Sequence, residues 1–185
     1  MSLLFDSPAD IPTEANGDSW FTPPWLLAWL PPIALDPCAC HLAAVQAAER
    51  IDVREGRNGL AESWDVAAQG IVFVNPPFSD GSRWLAKCRQ EGKRRVVVAV
   101  VPAYPGDGPW HDHVWSRAAW VGFMRGRVAF SAPDGHSEVK GLGHALLIWG
   151  PRAQANAVRD HIAAAALRHP QRPWWVPGNW NLTGE

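Results

Sequence analysis

Short unbroken apolar runs alternate with stretches of helical character along most of the chain. Ile33-Ala34-Leu35, Ile71–Val74, Val96–Ala103, Trp120–Met124, Val128–Phe130 and His144–Trp149 read as strands, and a further short strand is expected at Arg50–Val53. The β-branched run at 96–103 is of the kind covered on both faces of a sheet. Helices are predicted over 38–49, which is rich in alanine, and over 82–92, 110–119 and 152–168. A further short helix is predicted to open with Thr22 as N-cap and Pro23 at its first position, and to stop at Pro31-Pro32. This alternation predicts an α/β sandwich with a mostly parallel open sheet and helices on both faces. Residues 1–18 read as a flexible arm, 19–169 as one domain, and 170–185 as a Trp- and Pro-rich tail without periodic signal.

Composition narrows the function classes only a little. With 47% hydrophobic residues the chain can bury a core, and a net charge of −1 advertises no polyanionic partner on its own. No apolar run approaches the about 20 residues that a membrane helix needs, and no secretory signal is evident. Three cysteines without a framework spacing suit a reducing compartment, so a soluble cytoplasmic protein is expected. Tryptophan, at 12 residues, is abundant enough that most copies must be core.

The chemistry concentrates where strands end. In an open α/β sheet, ligands bind beyond the carboxyl ends of the strands at the point where strand order reverses. Two strand ends carry unusual groups: Leu35-Asp36-Pro37, and Val74-Asn75-Pro76-Pro77-Phe78. An acidic residue at the end of the first strand suits a ribose hydroxyl or the ammonium group of a cofactor. The Asn75 amide oxygen and the Pro76 carbonyl can both accept from an exocyclic amine, drawing its lone pair out of the ring and toward an electrophile. Phe78 offers a face on which an extruded base can stack.

Asn75-Pro76-Pro77-Phe78 resembles the catalytic step of amino-methyltransferases that use S-adenosylmethionine. An ordered series then resembles the phage-type DNA N-6-adenine methyltransferase family. It runs through Trp20-Phe21-Thr22-Pro23, Leu35-Asp36-Pro37-Cys38-Ala39, Asn58-Gly59-Leu60 with Trp64, and Phe73 to Phe78. It continues through Trp84, Val101-Pro102-Ala103, Trp110-His111 and Arg125-Gly126-Arg127 to Phe130. The resemblance covers about residues 19–150. It implies a Rossmann-like class I methyltransferase, S-adenosylmethionine as cofactor and adenine in DNA as acceptor, in a bacterial or phage-infected cell. It further implies cofactor contacts at Thr22, Pro23, Asp36, Pro37, Ala39 and Asn58. Catalysis would fall to Asn75, Pro76, Pro77 and Phe78, and substrate or DNA contact to Ser79, Trp110, His111, Arg125 and Arg127.

Plainer readings stand beside these. Asn-Pro steps also end strands without chemistry. Cys38, Cys40 and His41 lack the spacing of a zinc site, the two cysteines read as small buried thiols, and His111 and His113 as surface or cleft residues, so no metal is expected. Arg125 and Arg127 flank a tight turn and suit either phosphate contact or an ordinary surface. Two alternatives stay open: another amine acceptor (cytosine, RNA guanine or protein glutamine), and a nucleic-acid-binding relative without catalysis. Oligomeric state is undetermined.

Overall fold

The computed structural model describes residues 20–40, 43–132, 137–139 and 143–178. The arm expected over 1–18, His41 and Trp180 lie outside the described residues, as does the side chain of Phe78. The elements in chain order are α1 (Pro24–Leu27), β1 (Ile33–Ala39), β2 (Ala47–Asp52), β3 (Ile71–Val74), α2 (Gly81–Glu91), β4 (Val97–Pro102) and α3 (Gly108–His113). They continue with β5 (Trp120–Met124), β6 (Ala129–Ser131), β7 (Ser137–Val139), β8 (His144–Trp149), α4 (Arg152–Ala166) and β9 (Pro173–Pro177).

Seven strands form one sheet in the order β2-β1-β3-β4-β8-β5-β9, and β6 and β7 make a separate hairpin. The sheet is mixed, which corrects the expectation of a mostly parallel one. The β1–β2, β1–β3 and β3–β4 pairings are parallel, and the β4–β8, β5–β8 and β5–β9 pairings are antiparallel. The β-branched run of β4 signalled burial on both faces, which is true, but burial carries no information about the direction of a neighbour. Strand β5 ends at the same edge as β1, β3 and β4, so β8 enters there and runs back between β4 and β5.

Alternate side chains sort into two apolar layers. Leu35, Val72, Val74, Ala99 and Leu147 pack with Trp84, Leu85 and Cys88 of α2 and Trp110 of α3. Ile71, Phe73, Val98, Val100 and Ile148 pack with Leu26 of α1 and Ala155, Ile162 and Ala166 of α4. Helices thus cover both faces.

Four local expectations change. The helix expected over 38–49 does not form: Ala39 completes β1 and Ala47–Asp52 is the edge strand β2. Alanine's helix preference is weak, and pairing with the open edge of β1 outweighs it. Strand β1 runs through Asp36 and Pro37 rather than stopping there, because β2 continues beside it in a register that shifts between Asp36 and Ala39. Pro23, not Thr22, occupies the N-cap of α1, with proline in the first turn, which leaves the Thr22 hydroxyl out of the cap. Residues 173–177, read from sequence as part of a tail, form β9 against β5. Gly122 makes that pairing possible: a Cβ there would meet the Trp175 ring at 2.7 Å.

Candidate functional site

Strand order reverses between β1 and β3, since the chain leaves β1 outward to β2 and returns on its other side to β3. Sequence alone could identify the groups on these two strand ends; the topology makes them neighbours in the crevice beside the reversal.

Asp36 is 4% exposed. Among the described residues no cation stands within 4 Å of it; its Oδ1 accepts from the backbone N–H of Cys38 at 3.2 Å. Burial pushes its carboxyl up to about 6, an effect moderated chiefly by that hydrogen bond. The Cys38 thiol donates to the Asn75 carbonyl at 3.3 Å and so ties the two strand ends together. Burial, and then the nearby Asp36 charge, push this thiol well up, which keeps it a donor and not a nucleophile.

Asn75 shows a division of labour within one amide. Its Nδ2 donates to the backbone carbonyl of Trp20. A carbonyl can only accept, so this bond fixes which way the amide faces. Its Oδ1 is buried and has no partner among the described residues, and neither has the Thr22 hydroxyl oxygen. Trp20 and Thr22 reach this position because Phe21 bridges to Ser131, with N–H···O distances of 2.8 and 3.2 Å in the two directions. An unsatisfied buried polar atom costs about 1–3 kcal/mol, so two at one place make it a candidate ligand site.

These groups line a cavity of about 70 Å³, whose walls include Thr22, Asp36, Cys38, Cys40, Asn75 and Pro76. A second cavity of about 280 Å³ shares Pro76 and Pro77 as its wall and is bounded by Ser79, Leu85, Val101, Tyr104, Asp107 and Trp110. The Trp110 ring is stacked on Phe123 with centroids 6.2 Å apart and tilted against Trp115 at 5.8 Å, so this wall is braced by aromatic packing. Tyr104, 41% exposed, belongs to the same cavity.

The structure gathers Thr22, Asp36, Asn75, Pro76 and Pro77 at the first cavity, and Ser79 and Trp110 at the second. It does not bring every sequence candidate to them. Asn58 lines neither: its side-chain oxygen accepts from the N–H of Leu60 at 3.0 Å and closes a local turn. The adjacent Gly59 has a packing reason, since a Cβ would stand 1.8 Å from the Pro37 carbonyl. Pro23, Pro37 and Ala39 are buried beside the first cavity's elements without being among its lining residues. His111 faces a separate groove with Trp115, Arg117 and Val176. Arg125 and Arg127 are exposed on the turn after β5. The sequence reading missed the Trp20 carbonyl, because a main-chain group carries no residue signature. It also missed Cys38, Cys40, Tyr104 and Asp107 as wall residues, although Tyr104, the one tyrosine, follows β4 directly.

The DNA N-6-adenine-methyltransferase (Dam) family model matches residues 10–165. The chain belongs to this family. No curated protein and no solved structure matches it. The span matched by the Dam family takes in both cavities and all of β1 to β8. Among the described residues of this Dam-family protein, no group of three or more His, Cys, Asp and Glu side chains is placed to hold a metal ion, and no helix is long and apolar enough to cross a membrane.

The family implies a methyl-donating cofactor, and the chemistry of the first cavity fits S-adenosylmethionine. A buried carboxylate without a cation suits an ammonium group, and the unpartnered Thr22 oxygen suits a polar group of an amino acid. A volume of about 70 Å³ admits one end of such a molecule, not the whole nucleoside.

Proposed function

We propose that this protein transfers a methyl group from S-adenosylmethionine to N6 of adenine in DNA, as a Rossmann-like enzyme of the phage type acting in the cytoplasm. The observation that carries the reading is the Asn75 side chain: one end clamped by Trp20, the other end buried and unpartnered at the switch point. When bound, S-adenosylmethionine supplies a methyl group on a sulfonium, and the remaining demands fall on the protein. Asp36 and Thr22 hold the amino-acid end of the cofactor. An adenine enters the cavity bounded by Tyr104 and Trp110, with its amine at the Pro76-Pro77 wall.

There Asn75 Oδ1 and the Pro76 carbonyl accept from the two N6 hydrogens. These bonds strengthen as the nitrogen leaves planarity, so they favour the transition state over the ground state. The proline pair keeps the acceptors in place without an entropy cost when the base arrives. No strong base is required, because the methylated nitrogen is acidic enough to lose its proton to water. Phe78, next in the chain after Pro77, is the residue that the sequence nominates for stacking on the base. Supporting this are the five strands that run in one direction and the crevice between β1 and β3, the arrangement that open α/β sheets use for ligands.

The test is methyl transfer from labelled S-adenosylmethionine to unmethylated DNA, read by nucleoside mass spectrometry beside Asn75→Ala. N6-methyladenine made by the natural protein and lost in the variant supports the reading. Label in cytosine, or none in DNA while the cofactor still binds, overturns it.

A further inference from the structure

Charge on this molecule is segregated in a way that the net value of −1 conceals. Residues 118–132 and 161–178 contain no aspartate or glutamate, yet carry Arg125, Arg127, Arg168 and Arg172. The fold brings the four to one edge. Strand β5 ends at Met124, opposite Pro173 at the start of β9, so the turn holding Arg125 and Arg127 lies beside the segment that joins α4 to β9. Gln171 in that segment donates through Nε2 to the Arg127 carbonyl, which fastens the two together. All four arginines are exposed, and among the described residues none forms an ion pair.

This edge is the one at which β1, β3 and β4 also end, and therefore the one bearing Asn75. Physical contacts link the two places: Phe21 bridges to Ser131 next to the Trp20–Asn75 clamp, and Trp25 of α1 stacks on His169 at 4.6 Å. In the sheet order β5 lies three strands from β3 and β9 four, about 14 and 19 Å at about 4.8 Å per strand. Along a duplex, at about 3.4 Å per step, that is roughly four to six nucleotides from a base held at Asn75.

We infer that Arg125, Arg127, Arg168 and Arg172 form a docking rim for the phosphate backbone of DNA, about half a helical turn from the methylated base. The inference rests on DNA being the substrate. The rim touches backbone and not base edges, so it sets the register and strength of binding without selecting sequence. Exposed guanidiniums without carboxylate partners are suited to this task, because no ion pair has to break before phosphate arrives.

The experiment is fluorescence anisotropy of a labelled DNA duplex between 50 and 300 mM salt, alongside the methyl-transfer assay. Each phosphate contact contributes about 0.9 to the slope of log K against log salt, so replacing all four arginines by alanine should lower the slope by about 3.6. Replacing all four by lysine should keep most of it, since the contact is one of charge. Lys93→Ala with Arg94→Ala, exposed cations just before β4 and so at the opposite edge, should leave the slope unchanged. The rim is overturned if the natural protein methylates DNA while the alanine set keeps its slope, if the lysine set falls as far as the alanine set, or if the opposite-edge pair lowers the slope equally. If the natural protein neither binds nor methylates DNA, the substrate reading itself fails and the rim with it.

Discussion

Two buried carboxylates make the molecule's design visible. Glu91, at the foot of α2, is 5% exposed and meets the Lys87 ammonium at 2.9 Å. Asp36, in the second half of β1, is about as buried and, with no cation within 4 Å among the described residues, accepts from the backbone N–H of Cys38. The same contrast extends to their surroundings. Near the foot of the sheet, Arg95 donates to the carbonyls of Trp64, Val66 and Ala68, and Trp149 donates to that of His113. At the head, the oxygens of Thr22 and Asn75 are left without partners among the described residues. One end of the sheet uses most of its polar groups to close the fold, with His113 Nδ1 the buried atom left unpartnered there among those described; the other gathers unpartnered oxygens around one cavity. Polar burial is therefore informative only together with its accounting: satisfied, it is structure, and unsatisfied at a strand-order reversal, it nominates a candidate site.

The sharpest way to break this contrast is at Asn75. In the proposed mechanism Asn75→Ala removes the acceptor that activates the amine, and kcat should fall at least about 100-fold with little change in folding. Methyladenine counts and thermal unfolding of the same samples decide it. At the other end, Lys87→Met should leave Glu91 buried without its cation and lower stability by about 3 kcal/mol in urea titrations. Cofactor affinity should not follow it; if it does, the two ends are not independent.

Asp36 sharpens the comparison through pH. Its carboxyl is raised to about 6, so the fold binds that proton more tightly than the unfolded chain does. The ligand-free protein should then lose stability as pH climbs from the ordinary carboxylate range through about 6. Asp36→Asn should melt higher than the natural protein at pH 8, with the gap closing below pH 5. Affinity for S-adenosylmethionine should run the opposite way, strengthening as Asp36 ionises, and in the variant it should be about tenfold weaker with no such pH dependence. Calorimetric titrations from pH 5 to 8 would show both. The smallest effect belongs to Thr22→Val. Removing a buried oxygen that lacks a partner should raise stability by a few tenths of a kcal/mol or leave it unchanged, while weakening cofactor binding several-fold.

Much of the candidate site is legible in the sequence. The order of Thr22, Asp36, Asn75, Pro76 and Pro77 along the chain, each at the start or end of an apolar run, was enough to nominate them. Short β-branched runs were readable because burial on two faces leaves no polar alternation. Residues 38–49 were misread because alanine favours a helix only weakly, and the unpaired edge of β1 is not visible in the local sequence. Residues 173–177 escaped notice for a similar reason: Pro-Trp-Trp-Val-Pro has no period, and becomes a strand only because Gly122 leaves room for Trp175.

Local sequence thus sufficed to nominate residues able to carry chemistry, since the types of side chain and the proline steps constrain their own backbone. Which of those residues meet was a matter for the assembled fold. Asn58 closes a turn instead of reaching the cavity, because Leu60 takes its oxygen. The Trp20 carbonyl orients Asn75 from 55 positions away in the chain. Arg125 and Arg127 join Arg168 and Arg172 through Gln171. Each of these is a contact between segments distant in sequence or a competition for one hydrogen bond, and neither has a signature in the order of amino acids alone.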